Sequence, residues 1–482
     1  MRSRVSDGSR GEGVDEHGHA GRECSERLFV WQIQRIMSGA GARSLMIGRA
    51  GRRIAIGVRL RTKLSTVESA PVARPTPADR LSQRAPLIDS LRALACLLVI
   101  AAHAVTFAKF EPTQPLPWRV WLVGAVGVTL FFVISGYLVA GPFARAFLEH
   151  RAPPPTRPFI LRRAARILPG WWIALAAALL VLRLRGLPLP GLGVLLPHVA
   201  LVQIYLPQAD SPLSVGWTLC VELIFYLSIP LLTAIAVRLW AWRNRSVDRL
   251  AVVLCAVWLG SIGSGIAQDL IQVPVRHNLL HYILASYVDF STPARYLGLF
   301  VPGILAYVAL SPNARRSRTL SLFELVGRHP AIAVAFSTLT LAATALAFQS
   351  THTAIVDLAY PLVALPTGTL FILALTHGPA VGSWLRWPAR VGVLTYGLYL
   401  YHDPVGLLLV HYGAGFSPGH LPVLDAVAGW FIPTVALLLF TLPFALFSWF
   451  CVERPLIRWA ARRSKRAARL VEASGTPSKA VA

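Results

Sequence analysis

The chain has 482 residues, 55% of them hydrophobic and only 14% charged, with a mean hydropathy of +0.56. Soluble globular proteins carry about 25% charged residues, so a single soluble core and wholesale disorder are both excluded, and a lipid-embedded chain is expected. The formal net charge of +25, from 47 Lys and Arg against 22 Asp and Glu, raises the question of a nucleic-acid partner. The positions of those cations answer it below.

Residues 1–84 differ from the rest. Residues 1–51 are rich in Gly, Arg and Ser without helical or strand period, and Pro71, Pro75 and Pro77 follow. This composition is that of a disordered basic tail. The uninterrupted apolar core of a secretory signal is missing from it, and Met37 and Met46 offer later translation starts.

Crossing the ~30 Å hydrocarbon layer takes about 20 mostly apolar helical residues. Ten stretches qualify: Leu87–Ala108, Val120–Ala140, Leu168–Leu182, Val215–Val237, Leu250–Ala267, Ala294–Leu310, Ala331–Phe348, Ala354–Thr376, Val391–Val410 and Ala426–Phe450. The third is short. An eleventh run, Leu192–Leu206, is broken by Pro197 and His198 and reads as re-entrant or interfacial.

Loops after the second, fourth, sixth and eighth stretches carry 16 Lys and Arg, while the alternate loops carry 5. Cytoplasmic loops are enriched in these residues. The expected fold is therefore all-α: a polytopic membrane protein of ten transmembrane helices with both termini cytoplasmic. The membrane domain runs over 85–458, and a basic cytoplasmic tail over 459–482. The positive charge is mostly topological, and no nucleic-acid partner is expected. The five cysteines are widely spaced without a CxxC pair, so neither a disulfide framework nor a metal site is indicated.

Ionisable residues inside these stretches carry the chemical signal. Arg92 and His103 are eleven residues apart, about three turns, so they share a helix face while differing in depth by ~16 Å. Entering from the cytoplasm, the helix puts Arg92 near the inner headgroups and His103 in the outer half of the bilayer. Such groups usually face a bundle interior or a wet cavity. Glu222 in the fourth stretch and His402 in the ninth reach depths compatible with His103. A neutral imidazole is a competent base near pH 7, and a carboxylate can orient it. The competing readings are a snorkelling anchor for Arg92, an interhelical hydrogen bond for His103, and a structural polar network for the set. Before the third stretch, Arg163 and Arg166 are three apart and share a helical face. Their planar forks suit phosphate oxygens, although positive-inside anchoring explains them equally well. Glu453 is a candidate partner for both.

Five segments then become familiar together. They are Arg92-x10-His103, Phe131-Phe-Val-Ile-Ser135-Gly-Tyr137-Leu, Arg163-x-x-Arg166 followed by Ile-Leu-Pro169, Trp217-Thr-Leu-Cys-Val-Glu222-Leu-Ile-Phe-Tyr226, and Tyr399-Leu-Tyr-His402-Asp-Pro404. In this order, from about Leu87 to Arg458, the chain resembles the acyltransferase 3 family of integral-membrane enzymes, which O-acylate surface polysaccharides, peptidoglycan, lipids or small metabolites. The resemblance implies an acyl-CoA donor bound from the cytoplasm, an essential Arg92 and His103, and a role in activity for Arg163 and Arg166. Departures are modest: Thr218 and Thr395 stand where serine is common, and Leu223 where a second acid is frequent. The extracytoplasmic esterase domain that some members append is not seen after the last stretch.

The expected function is transfer of an acyl group, acetyl foremost, from acyl-CoA to a hydroxyl of a cell-envelope carbohydrate, lipid or glycosylated metabolite in the plasma membrane. The expected catalytic set is His103, Arg92, Glu222 and His402, with Arg163 and Arg166 binding the co-substrate and no permanently bound cofactor. The rival reading is a transporter of an acylated lipid or small anion. The lack of a convincing internal repeat counts mildly against it.

Overall fold

The computed structural model describes residues 77–107, 118–205, 211–239, 245–272, 294–310, 317, 321, 325–347, 353–377, 386–411 and 422–473, all within the unit Arg74–Ala482. The expected disordered tail lies outside them, except that 77–84 already form the first turns of a helix. Among the described residues the chain is helical, with no strand.

In chain order the helices are α1 (Pro77–Phe107), α2 (Trp118–Ser135), α3 (Gly141–Leu148), α4 (Thr156–Leu184), α5 (Leu192–Ala200), α6 (Gly216–Leu239), α7 (Val247–Gln272), α8 (Ala294–Leu297), α9 (Val301–Ala309), α10 (Pro330–Ala347), α11 (Thr353–His377), α12 (Arg386–Gly392), α13 (Thr395–His411), α14 (Pro422–Phe447) and α15 (Arg454–Ala473). A π-turn, Gly136–Ala140, joins α2 to α3, and a second, Ser448–Glu453, joins α14 to α15. Among the described residues seven helical segments are long and apolar enough to cross a membrane, and Ala294–Ala309 and Pro330–Leu346 are shorter apolar helices. Large apolar side chains on their outer faces, such as Leu180, Leu231, Leu339 and Phe440, are more than half exposed. An apolar exterior of this kind is stable only against lipid.

Each of the ten expected stretches falls on helix where it is described, but three differ in detail. The third begins at Thr156, not Leu168, because extended Pro155 sets the start. Four arginines in its first three turns lower the hydropathy that marks an apolar stretch. The ninth is divided: Gly392 ends α12 and Thr395 opens α13, its hydroxyl donating to the Gly392 carbonyl at 2.8 Å. The sixth is tightened by a 3₁₀ turn at Gly298–Phe300. The eleventh run forms the short α5, closed by Leu201 in the left-handed region (φ 57°), as suits an element too broken to span.

Close backbone approach fixes the bundle around the site. A Cβ on Gly136 would strike the Phe300 carbonyl, and one on Gly303 would strike the Val133 carbonyl. Neither backbone can yield, so glycine is needed where α2 and its π-turn meet α9. That contact brings Phe300 against Phe225 of α6, with ring centroids 3.6 Å apart, and against Phe132 of α2 at 4.9 Å. The aromatic layer sets α6 beside α2, so that Glu222 faces Ser135.

Candidate active site

A cavity of about 70 Å³, measured as space for water centres, opens between five helices. A water needs roughly 10–15 Å³ by this measure, so several fit. Its polar wall is Arg92 from α1, Ser135 from α2, Arg166 from α4, and Thr218, Glu222 and Tyr226 from α6. Thr395, Tyr396 and Tyr399 of α13 close the far side, and Val128, Phe131, Phe132, Ile167 and Leu219 line the rest.

The arginine end is densely partnered. Glu222 accepts hydrogen bonds from Ser135 Oγ at 2.7 Å and from the Tyr226 hydroxyl. Arg92 is mostly shielded, with its Nη1 3.9 Å from Asp89 Oδ1 and its charge within reach of Glu222 and Arg166. Tyr226 also gives its ring face to Arg163, whose guanidinium carbon lies 5.0 Å from the centroid, a cation–π contact that holds the cation without neutralising it. Among the described residues, neither Arg163 nor Arg166 has a carboxylate oxygen within 4.0 Å. The expected partner Glu453 instead accepts from Ser448 Oγ at 2.9 Å, and acts on Arg166 only through its field. Tyr396 locks α13 to α4 by donating to the Ile167 carbonyl at 2.6 Å.

The histidine end is a pair of imidazoles. His103 Nδ1 lies 3.0 Å from the Val99 carbonyl. A carbonyl only accepts, so Nδ1 donates, and in the neutral ring Nε2 is the nitrogen that carries the lone pair. The His402 ring stands 4.9 Å from His103, nearly perpendicular to it, and is fully buried. Neither nitrogen of His402 meets hydrogen-bond geometry with a described residue, although the Leu398 and Tyr399 carbonyls lie near the ring. The adjacent Asp403 is buried, accepts from Ser214 N at 2.8 Å and Ser214 Oγ at 3.0 Å, and lies within electrostatic reach of His103.

The two ends meet at Tyr399. Its hydroxyl pairs with Thr218 Oγ1 at 2.7 Å and lies 3.1 Å from the Val215 carbonyl, while its ring is 5.8 Å from His402. The cavity lining includes neither His103 nor His402. The structure thus brings Arg92, Arg166 and Glu222 together, sets Arg163 behind Tyr226, and pairs His103 with His402. Glu222 belongs with the arginines, not with His103. Depth separates them: Ser214, just before α6, meets Asp403 at the histidine end, and Glu222 lies about two turns farther along the helix, level with the arginines and not with His103. Asp403, Tyr226 and Ser135 all stand within the quoted segments, and Tyr226 is one turn beyond Glu222, the spacing at which side chains meet.

A family model described as an acyltransferase domain (Acyl_transf_3) matches residues 86–452. The chain belongs to this family. It is 26% identical over 395 residues to nodulation protein 10 of Rhizobium leguminosarum bv. viciae, covering 77% of this chain and 92% of that protein. To the peptidoglycan O-acetyltransferase OatA of Listeria monocytogenes it is 24% identical over 349 residues, 66% of this chain and 49% of that one. A shorter match, 37% over 112 residues, links 22% of the chain to 32% of the exopolysaccharide production protein ExoZ of Rhizobium meliloti. No solved structure matches the chain. The protein is a multi-pass membrane O-acyltransferase, which decides the question against a transporter.

Proposed function

We propose that the protein transfers an acetyl group from acetyl-CoA to a hydroxyl of a cell-envelope carbohydrate, with ten helices crossing the plasma membrane and both termini in the cytoplasm. The observation that carries this reading is the polarity of the site. A cavity walled by Arg92 and Arg166 ends at Tyr399, whose ring neighbours His402 of the His103–His402 pair. A carbohydrate is favoured over a lipid or glycosylated metabolite because relatives are named for peptidoglycan and exopolysaccharide.

The residues fit a phosphate-bearing donor. Arg166 lines the end of the cavity nearer the start of α4 and Arg163 lies behind Tyr226, with no carboxylate ion-paired to either among the described residues. They hold the donor's phosphates, and Arg92 lies between them and the thioester. Glu222, fixed by Ser135 and Tyr226, keeps Arg92 and Arg166 directed into the cavity. His103 Nε2 removes the acceptor's hydroxyl proton as its oxygen attacks the thioester carbonyl. A C–O bond forms, the C–S bond breaks, and the departing thiolate takes the proton from His103. His402 packs against the base, and the Asp403 carboxylate stabilises its transient positive charge. General-base help of this type contributes roughly 10²–10⁴-fold. Because Tyr399 stands between the cavity and His103, its displacement is part of substrate entry.

Purified protein given labelled acetyl-CoA and envelope polysaccharide is expected to release free CoA and label the polysaccharide. Labelled CoA that crosses vesicle membranes intact, with no transfer, would contradict the proposal.

A further inference from the structure

The segment Trp430–Ser464 holds 35 helical residues, about 52 Å at 1.5 Å per residue, against a hydrocarbon layer of about 30 Å. Its C-terminal portion therefore lies beyond the acyl chains. That portion is α15, which carries six arginines and one lysine against a single acid, Glu472. Its two faces differ sharply. Ala460 is fully buried and Leu456 and Ile457 are half-buried, where α15 packs on α4. On the outer face Arg458, Arg462 and Arg466 are exposed and recur one turn apart. Beside them Arg463 stacks on Trp459 with its guanidinium carbon 5.4 Å from the ring centroid, and Trp459 is 44% exposed.

A straight row of cations with an exposed tryptophan fits a plane rather than a pocket. Basic amphipathic helices with an aromatic at the polar–apolar boundary lie in the headgroup layer. The π-turn before α15 also packs against α4, which sets α15 on the side of the bundle holding Arg163 and Arg166. We propose that α15 lies on that membrane face and binds anionic phospholipid headgroups through Arg458, Arg462 and Arg466, anchored by Trp459. The outward row is separate from the inward-facing cavity arginines, so the inference stands independently of the acyl-transfer reading.

The test is hydrogen exchange on the full chain reconstituted in phosphatidylcholine vesicles, and in vesicles of equal parts phosphatidylcholine and phosphatidylglycerol. Backbone amides of α15 should exchange several-fold more slowly in the anionic vesicles. High salt should abolish the difference through screening, and an R458Q/R462Q/R466Q variant should not show it. Equal exchange in both vesicles would overturn the proposal, with retained α4 protection showing that the variant is folded. Protection in neutral vesicles on adding inorganic phosphate or free CoA would also overturn it, assigning the row to a soluble anion.

Discussion

The arginine end and the histidine end of the site are built on opposite principles. Around Glu222 the contacts are polar: Ser135 and Tyr226 serve the carboxylate, Tyr226 also holds Arg163, and Arg92 lies near Asp89. Around His402, fully buried, both ring nitrogens lack a hydrogen bond among the described residues. One end gathers cations around a hydrogen-bonded carboxylate. The other packs two imidazoles edge to face, 4.9 Å apart.

On the proposed function, binding falls to one end and chemistry to the other, and substitutions can separate them. The largest effect is expected for His103→Ala: acyl transfer falls by about 10²–10⁴-fold while CoA affinity is kept, as read by labelled-CoA turnover and equilibrium binding. Normal turnover in this variant would break the assignment. Arg166→Gln is expected to weaken CoA binding by about 10–100-fold, the loss of a charge-assisted hydrogen bond worth roughly 1.5–3 kcal/mol. Arg163→Gln should follow the same direction.

His402→Phe gives a split that a purely structural residue cannot. A planar ring of similar shape keeps the packing, so Tm should change little, while transfer falls by less than with His103→Ala. Unchanged Tm with full activity would make His402 a bystander. Tyr226→Phe should produce the smallest change. It removes one of two bonds to Glu222 and keeps the ring under Arg163, costing about 0.5–1.5 kcal/mol as a modest rise in KM for the donor.

Much of this arrangement is legible in the residues themselves. Ten apolar stretches mark helices because burial in lipid demands continuous hydrophobicity. Arg92 and His103 stand out because ionisable groups within such runs are rare. The start of α4 is obscured because hydropathy falls where arginines cluster, although Pro155 marks the boundary. The pairing of Glu222 with Ser135 and Tyr226 depends on how α6 is turned about its axis. That rotation is set by the Phe225–Phe300 stack and the glycine contacts of α9, both distant in sequence. The π-turns at Gly136–Ala140 and Ser448–Glu453 are equally hidden, since an extra residue in a turn leaves no mark on composition. Asp403 adjoins His402 in the chain, but its proximity to His103 and its tether to Ser214 arise only from packing.

Equilibrium binding of CoA to the detergent-purified wild type, His103→Ala and Arg166→Gln proteins tests the division of labour without any acceptor. Arg166→Gln should bind about 10–100-fold more weakly, while His103→Ala should match the wild type. Full affinity in Arg166→Gln together with lost affinity in His103→Ala would place the donor at the histidines and contradict the assignment of the two ends.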